Sequence, residues 1–343
     1  MTSNLNRRAA LGLGAAAAAG VALGSTAVAA AEEAPPGQTP PEPTPSTSEQ
    51  ARNRVNRVYQ RETTRAAGVW NSLITVANPD GTLGPAVEDK PEELVEAYSV
   101  NKIAVATAVL DKIDRGLLTL DQRVDVTADI VATTGDGIFR LDQAYPSSVT
   151  LGHVMANLLS ISDDTAVRLC GLVCPAKELN EILVAKGFPK TQVKPVANPN
   201  RFFLGKTTPR ETHDLLQALV KGTLLSASST TFLLNILRSP VAFTDGMRRT
   251  MSSDERLRVA TKAGWFFDGR NEAGIMFDAA GRPILTYSLF ARGQANPNDF
   301  GATHPAVQAR AVMGRKFLDA VDRLGGVAAL RRAVPTYRPY NGG

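Results

Sequence analysis

Residues that bind metals are scarce in this sequence. Its 343 residues include two cysteines and three histidines. The histidines, His153, His213 and His304, lie far apart, and none has thiol or carboxylate neighbours at the spacing of a zinc site. This scarcity excludes the common metal-binding motifs, so we expect no metal and no cofactor.

The two cysteines, Cys170 and Cys174, lie four residues apart around Gly171 and directly before Pro175. If the protein is exported, a disulfide across this turn can form in an oxidising compartment. The alternative is that both side chains are small buried hydrophobic groups. The sequence leaves these two possibilities open.

Basic stripes and long hydrophobic runs are also missing. Lysine and arginine number 38 against 33 aspartate and glutamate residues, which gives a formal net charge of +5. No basic segment is interleaved with aromatic residues, so we expect no nucleic-acid partner. Beyond the N-terminal region, no apolar segment is long enough to span a bilayer. We expect a monomer, with no membrane span in its mature form.

The N-terminal region has the features of an export signal. Arg7 and Arg8 precede a mildly hydrophobic run, rich in alanine and glycine, that ends near Leu23, and small residues then allow cleavage after Ala29 or Ala31. The arginine pair resembles a bacterial twin-arginine signal, which predicts a secreted, cell-surface or periplasmic protein. A membrane anchor is the alternative, but the run is short and weakly hydrophobic.

Composition divides the chain into four segments. Residues 1–31 form the predicted signal peptide, and residues 32–50 form a linker rich in Pro, Thr, Ser and Glu that cannot bury a core. Residues 51–330 have the mixed composition of one folded domain, and residues 331–343 form a C-terminal tail. The chemistry is therefore expected within residues 51–330.

Local patterns predict an α+β domain. Residue spacing and capping signals predict helices over 51–66, from Ser99 to Gly116, and over 150–160, 163–170, 177–186, 208–220 and 305–324. Thr208 and Glu211 are expected to form a capping box. Strand patterns cover 69–76, 258–267 and 273–292, the last folded at 279–283. Strands at both ends of the domain, with helices between them, favour an antiparallel sheet.

One stretch combines a serine and a lysine at the start of an almost wholly apolar run. Ser99 and Lys102 stand three residues apart, so on a helix the lysine amine can reach the serine oxygen. Burial disfavours the charged form of a lysine, and a neutral amine can take a proton from a serine. This spacing predicts a nucleophile and its base, although the motif alone arises often by chance.

Two later segments carry further polar groups. Ser162, Asp163 and Asp164 stand at a helix start, where the first two are typical capping residues. Lys262 stands near the end of a predicted strand and is followed by the small residues Ala263 and Gly264, which allow another backbone to approach. Taken alone, neither segment indicates a function.

Taken in order, the three segments resemble the Ser-x-x-Lys, Ser-Asp-Asn and Lys-Thr-Gly motifs of the serine β-lactamase and penicillin-binding protein family. Their separations resemble those of the class A enzymes, and flanking similarities extend over about residues 66–324. The resemblance implies an antiparallel five-stranded sheet flanked by helices, a mostly helical lobe and an active site in the cleft between them.

The resemblance also implies roles for individual residues. Ser99 would be the acylated nucleophile and Lys102 the base beside it. Ser162 would relay a proton to the leaving group, and Lys262 would shape the local field. The backbone amides of Ser99 and Trp265 would form the oxyanion hole. Asp164, Ala263 and Gly264 would line the substrate site.

The family pattern breaks in four places. The loop at 187–206 contains no Asp or Glu, although class A enzymes carry their deacylating glutamate there. Asp164 replaces an asparagine, and an ionised carboxylate can only accept hydrogen bonds. Ala263 lacks the hydroxyl that helps to hold a β-lactam carboxylate, and Ala273 stands where many class A enzymes have an arginine. Arg270 is the residue that could compensate. We expect weak or atypical β-lactam turnover.

Three functions fit these observations. The first is a secreted serine hydrolase that cleaves an ester, an amide or an unusual lactam, with Lys102 or Asp164 serving deacylation. The second is a penicillin-binding D,D-peptidase-like protein or slow β-lactamase, whose substrate is a small molecule or a cell-wall peptide. The third is a non-catalytic cell-wall binding module. Retention of Ser99 and Lys102, together with Ser162 and Lys262, disfavours it.

Overall fold

A computed structural model describes residues 43–324, 337–340 and 342. The predicted signal peptide, most of the predicted linker and most of the tail lie outside the described residues. Pro43 belongs to an N-terminal unit, Met1–Pro43, and the remaining described residues belong to a second unit, Thr44–Gly343. The following description concerns the second unit.

Ten helices and ten strands lie within the described residues. The helices are α1 Ser48–Ala66, α2 Lys102–Asp114, α3 Phe139–Asp142, α4 Leu151–Ser160, α5 Asp164–Val173, α6 Ala176–Ala185, α7 Pro209–Val220, α8 Ala227–Arg238, α9 Ser253–Arg256 and α10 Pro305–Val321. The strands are β1 Val69–Ala77, β2 Leu83–Asp89, β3 Val95–Glu96, β4 Arg123–Val126, β5 Ser147–Thr150, β6 Gln192–Pro195, β7 Phe202–Thr207, β8 Val259–Phe266, β9 Gly269–Phe277 and β10 Pro283–Arg292.

The central sheet has five strands in the order β2-β1-β10-β9-β8, and its pairs are antiparallel. Both of its faces are buried, as neighbouring residues of β9 illustrate. Ile275 packs in a core shared with α2, α4, α5 and α8, whereas Met276 packs in a core shared with α1 and α10. The predicted α+β fold with an antiparallel five-stranded sheet is confirmed.

Helix α2 lies at the centre of the helical lobe. Its residues from Lys102 to Leu110 are all buried, as an apolar run on every side of a helix predicts. Ser99 itself lies in a 3-10 turn, Tyr98–Asn101, that leads directly into α2. The helix ends at Asp114, and Gly116 follows in the left-handed region with φ +71°. The buried central helix is therefore confirmed.

Several local predictions need correction. The helix predicted from residue 51 begins at Ser48, inside the predicted linker, because Thr47 caps it. The segment 187–206, treated as a loop, contains the hairpin β6–β7, which pairs with β3. The capping box at Thr208 is incomplete. Its hydroxyl accepts from Glu211 N, but the Glu211 carboxylate accepts from Lys190 N and the Thr191 hydroxyl instead.

Cys170 and Cys174 are both free and buried. Burial raises the pKa of both thiols, that of Cys174 to about 12. In this structure both side chains are small buried hydrophobic groups, the second of the two possibilities that the sequence left open.

None of the described helices is long and apolar enough to cross a membrane. No cluster of metal-binding side chains occurs within the described ranges.

Candidate active site

The turn that carries Ser99 is tied to the hairpin β6–β7 by Asn101. Asn101 Nδ2 donates to the carbonyl oxygens of Leu204 at 2.7 Å and Lys206 at 3.1 Å, which ties the turn to the hairpin β6–β7. Tyr98, directly before the serine, has φ +49°, a backbone conformation that is costly for a residue with a side chain. Ser99 is 9% exposed. The fold therefore presents this serine at a fixed and narrowly accessible position.

Lys102 does not make the expected hydrogen bond to Ser99. Its Nζ donates to the Ser162 carbonyl oxygen at 2.5 Å, to Ser162 Oγ at 3.0 Å and to Asp164 Oδ1 at 2.8 Å. These bonds use all three donors of the ammonium group. The Ser99 hydroxyl makes no hydrogen bond within the part of the chain that the structure describes. The two oxygens of Ser162 and the Asp164 carboxylate thus take the place of Ser99 as partners of Lys102.

The charge state of Lys102 is set by two opposing effects. Burial lowers its pKa, because a charged amine loses its hydration in the protein interior. The ion pair with Asp164 raises the same pKa and partly offsets the effect of burial. The role of Lys102 as a base stays a prediction, and Asp164 raises the pH at which its amine becomes neutral.

Ser162 lies between two lysines. Lys262 Nζ donates to Ser162 Oγ at 3.0 Å and to the Ala263 carbonyl oxygen at 2.8 Å, and Lys102 donates to the same hydroxyl oxygen. Burial, followed by the positive charge of Lys102, holds the pKa of Lys262 well below its ordinary value. Ser162 has φ +60°, so its backbone also adopts an unfavourable conformation. The three predicted catalytic groups Lys102, Ser162 and Lys262 thus form one connected network.

Strand β8 lies directly against the Ser99 turn. It is the edge strand of the central sheet, and Gly264 provides the close approach. A Cβ atom at Gly264 would lie 2.7 Å from the backbone nitrogens of both Ser99 and Val100, so a larger residue would push the turn away. Trp265 follows on the same edge. The oxyanion hole formed by the backbone amides of Ser99 and Trp265 stays a prediction, and the Ala263 side chain is fully buried.

Sequence reasoning missed one part of the site, the loop Gly135–Gly137. Gly135 and Gly137 have φ +95° and +117°, and a Cβ atom there would lie 2.3 Å from Asp164 Oδ2 and 2.2 Å from Asp163 Cγ, respectively. Asp136, between them, donates its N–H to Asp164 Oδ2 at 3.1 Å. The only local signal is the Gly-x-Gly pattern, which allows close contact but does not reveal the partner.

Asp136 brings a second carboxylate to the cleft. Its pKa is raised, first by burial and then by the negative charge of Asp164, while Lys102 and Lys262 oppose the shift. Asp163, in contrast, is occupied by backbone groups. One of its oxygens caps α5 through Ala166 N, and the other accepts from the amides of Ile138 and Phe139. Asp163 therefore positions the loop, whereas Asp136 and Asp164 face the lysines.

Two of the departures noted in the sequence are a missing carboxylate in the segment 187–206 and an alanine, Ala273, in the place of an arginine. The hairpin segment 187–206 contains no carboxylate to place beside Ser99. Arg270 does not compensate for Ala273, because its guanidinium donates to the carbonyl oxygens of Phe267 at 2.6 Å and Asp299 at 2.8 Å and lies over the Phe300 ring. The Arg270 side chain is thus held by the turn between β8 and β9 and by the loop that precedes α10.

Sequence comparison finds a matching family model but no matching curated protein. The sequence model of the β-lactamase enzyme family matches residues 51–321. No match was found among curated proteins.

Many solved structures have a similar fold. A β-lactamase from Sphaerobacter thermophilus DSM 20745 is 21% identical with a TM-score of 0.65, covering 78% of this chain and 95% of its own. A β-lactamase from Xanthomonas campestris pv. campestris is 18% identical with a TM-score of 0.66, covering 79% and 99%. A mutant of PBP-A, described as an acyl-enzyme complex with penicillin G, is 20% identical with a TM-score of 0.60, covering 77% and 96%.

Proposed function

The chain belongs to the β-lactamase enzyme family, and on that premise we propose that it is a serine hydrolase that forms a covalent acyl-enzyme through Ser99. The supporting observation is the Ser162 hydroxyl, which accepts hydrogen bonds from Lys102 and Lys262. Because both lysines donate to this oxygen, the Ser162 proton is free to be given to a leaving group. Acyl transfer needs such a proton donor next to its nucleophile.

In the proposed acylation, Ser99 Oγ attacks the carbonyl carbon of an ester, an amide or a β-lactam. The proton of Ser99 passes to the neutral form of the Lys102 amine, and the ion pair with Asp164 at 2.8 Å limits the population of that form. The backbone N–H groups of Ser99 and Trp265 stabilise the oxyanion. As the intermediate collapses, the leaving atom takes the Ser162 proton, and Lys102 replaces that proton.

We propose that hydrolysis of a penicilloyl-enzyme is slow. Water attack on the Ser99 ester needs a base, and the hairpin segment 187–206 offers no carboxylate. The protein would then act as a penicillin-binding, D,D-peptidase-like protein or slow β-lactamase. A non-catalytic cell-wall module is the weaker alternative, because such a module does not need the network of Lys102, Ser162 and Lys262.

One observation favours a second candidate, full turnover of a different ester or amide substrate. The Asp164 side chain is 39% exposed, so one of its oxygens can meet a water molecule in the cleft. With Asp164 as the base, deacylation does not require a residue on the hairpin. Asp136, next to it, adds a second carboxylate to the same wall.

The proposed acyl-enzyme can be tested by intact-mass spectrometry after mixing with penicillin G, the ligand named for the similar PBP-A structure. We expect the protein plus one penicillin mass, located on the peptide that contains Ser99. Ser99→Ala should abolish the adduct, and Ser160→Ala, a matched serine variant nearby, should retain it. An adduct that persists in Ser99→Ala would place the nucleophile elsewhere.

We further propose that the protein is exported through the twin-arginine route. The basis is the pair Arg7 and Arg8 before the mild apolar run. Replacing both residues with lysine should retain the precursor inside the cell, as measured by fractionation and immunoblotting. Mature protein outside the cell at an unchanged rate would contradict this assignment.

A further inference from the structure

Strand β8 presents a row of residues to the candidate active site. Successive side chains of a strand point to opposite faces, so Lys262, Gly264 and Phe266 share one face of β8. Lys262 donates to Ser162 Oγ, and Gly264 lies against the backbone of Ser99. The row thus begins at the proposed proton donor, passes the proposed nucleophile and ends at Phe266.

Phe266 forms an exposed aromatic surface together with Tyr98. The centroids of the two rings are 5.9 Å apart. The Tyr98 ring also covers Gly269, which pairs with Phe266 across the hairpin, and a Cβ atom at Gly269 would lie 2.2 Å from Tyr98 Cε2. Because directly paired residues share a face, both rings lie on the face that carries Gly264. Phe266 is nevertheless 67% exposed. We call the Tyr98–Phe266 pair the aromatic shelf.

The order of groups along β8 assigns the aromatic shelf to the acyl side of a substrate. In the proposed acylation, the leaving atom takes its proton from Ser162, at the Lys262 end of the row. The carbonyl carbon lies next to Ser99, so the acyl group extends the other way, toward Phe266. Lys262 and Phe266 are about 13 Å apart along the strand, which leaves room for a ring-sized acyl group. This assignment rests on the proposed acyl-enzyme chemistry.

The charged groups of the cleft disfavour an anionic acyl group. Lys102 is already paired with Asp164 at 2.8 Å, and burial holds the pKa of Lys262 well below its ordinary value. The Asp136 carboxylate has no hydrogen-bond or ion-pair partner among the described residues, and it lies near both lysines. The two lysines are therefore not available to a substrate carboxylate, and Asp136 repels one.

We propose that the acyl group transferred to Ser99 is uncharged and apolar, that it packs on the aromatic shelf, and that Phe266 is the residue that selects it. A phenyl ring placed there removes apolar surface of both partners from water and can stack on, or meet edge to face, the rings of Phe266 and Tyr98. The substrate class is thus the esters and amides of arylacetic acids and of similar apolar acids.

The selection can be measured with p-nitrophenyl esters, which share one leaving group and differ only in the acyl group. Release of p-nitrophenolate by the full chain reports acylation, even where the acyl-enzyme accumulates. Each rate is divided by the rate at which hydroxide hydrolyses the same ester. We expect the phenylacetate to react about tenfold faster than the acetate. It should also react about tenfold faster than the 4-carboxyphenylacetate, whose ring carries a negative charge.

Variants of Phe266 locate the selection on the aromatic shelf. Phe266→Ala should reduce the preference for phenylacetate over acetate to about twofold or less, whereas Phe266→Leu, which keeps an apolar side chain, should retain most of it. Leu117→Ala is the control. Leu117 is 58% exposed, and helix α2 separates it from Lys102 by about 20 Å. An unchanged preference in Phe266→Ala, or an equal loss of rate on all esters, would overturn the role of Phe266.

Ser99→Ala separates this inference from the proposed function. It should abolish p-nitrophenolate release, and release that persists there would contradict the proposed acyl-enzyme itself. Ser99-dependent release without a preference among the esters, or with a preference for the carboxylated ester, would overturn only the selection by the aromatic shelf. If no ester gives Ser99-dependent release, the selection is also overturned, and a penicillin adduct on Ser99 would still support the proposed function.

Discussion

The two walls of the candidate cleft differ in what they conserve of the family chemistry. The strand wall, formed by the turn Tyr98–Asn101, by Lys102 at the start of α2 and by β8, presents Ser99 and two buried lysines, and Gly264 closely approaches the backbone of Ser99. The lobe wall is formed by Ser162–Asp164, the loop Gly135–Gly137 and the hairpin β6–β7. It has Asp164 in the place of the asparagine of the family motif, and its hairpin segment contains no counterpart of the deacylating glutamate. The departures at Asp164 and in the hairpin lie on the lobe wall, whereas the nucleophile lies on the strand wall, and the hydrogen bond from Lys102 to Ser162 connects the two walls.

The strand wall predicts the largest effect. A fluorophosphonate probe should label Ser99, because a nearby amine activates the hydroxyl toward any accessible electrophile. Ser99→Ala should abolish labelling, and Lys102→Ala should slow it by about a hundredfold to ten-thousandfold, the usual contribution of a general base. Gel fluorescence over time provides the measurement. Labelling of Lys102→Ala at the wild-type rate would remove Lys102 from the mechanism.

The lobe wall predicts slow release. If no base activates water, a penicilloyl-enzyme should decay about a hundredfold to ten-thousandfold more slowly than one with general-base assistance, so that it persists for minutes or longer. Time-resolved intact-mass spectrometry after removal of free penicillin measures this lifetime. Rapid multiple turnover without a detectable adduct would mean that Asp164, Asp136 or Lys102 activates the water.

Asp164 gives a smaller effect with a defined pH signature. Because its charge raises the pKa of Lys102, Asp164→Asn should lower that pKa. Acylation needs the neutral amine and rises with pH through this pKa, so the rising limb of the rate profile should move to lower pH. Penicillin acylation near neutral pH should increase, by about tenfold for each pKa unit lost.

The Asp164→Asn profile has a clear contrary outcome. If Asp164 only favours the start of α5, a contribution of about 0.3–1 kcal/mol, the variant should change the melting temperature slightly and leave the pH profile in place. Asp163→Asn provides a comparison, because Asp163 bonds backbone amides and not the lysines. It should reduce stability more than it shifts the profile.

The smallest effects concern the contact between β8 and the Ser99 turn, inside the strand wall. Gly264→Ala places a Cβ atom against the backbone of Ser99 and Val100, and overpacking of this kind costs about 1–3 kcal/mol. Because the turn itself must move, labelling of Ser99 should fall along with stability. Gly301→Ala, where a Cβ atom would meet only Asp299 Oδ1 at 3.7 Å and the backbone has no positive φ, is the control for loss of a glycine. Normal labelling in a folded Gly264→Ala protein would show that the close approach is not needed.

Much of the fold could be predicted from the sequence because the relevant signals are local. The apolar run after Lys102 determines a buried helix, and Thr150 and Asp163 cap helices as their side-chain chemistry predicts. The strand patterns over 258–267 and 273–292, the latter folded at 279–283, correspond to β8, β9 and β10. The Ser-x-x-Lys spacing likewise identified Ser99 and Lys102 as candidates. These features depend on residues a few positions apart, whose relative geometry the helix or strand period determines.

The partners of the polar groups were decided only by the tertiary structure. Lys102 bonds Asp164 rather than Ser99, Glu211 bonds Lys190 and Thr191 rather than closing its capping box, and Arg270 turns away from the cleft. Asp136 reaches the site from a loop with no recognisable motif. A side chain of this kind can choose among many donors and acceptors, and folding alone determines which distant one is in reach. Sequence therefore determined the elements and the candidate nucleophile, whereas three-dimensional packing decided the hydrogen-bond partners and the charge around it.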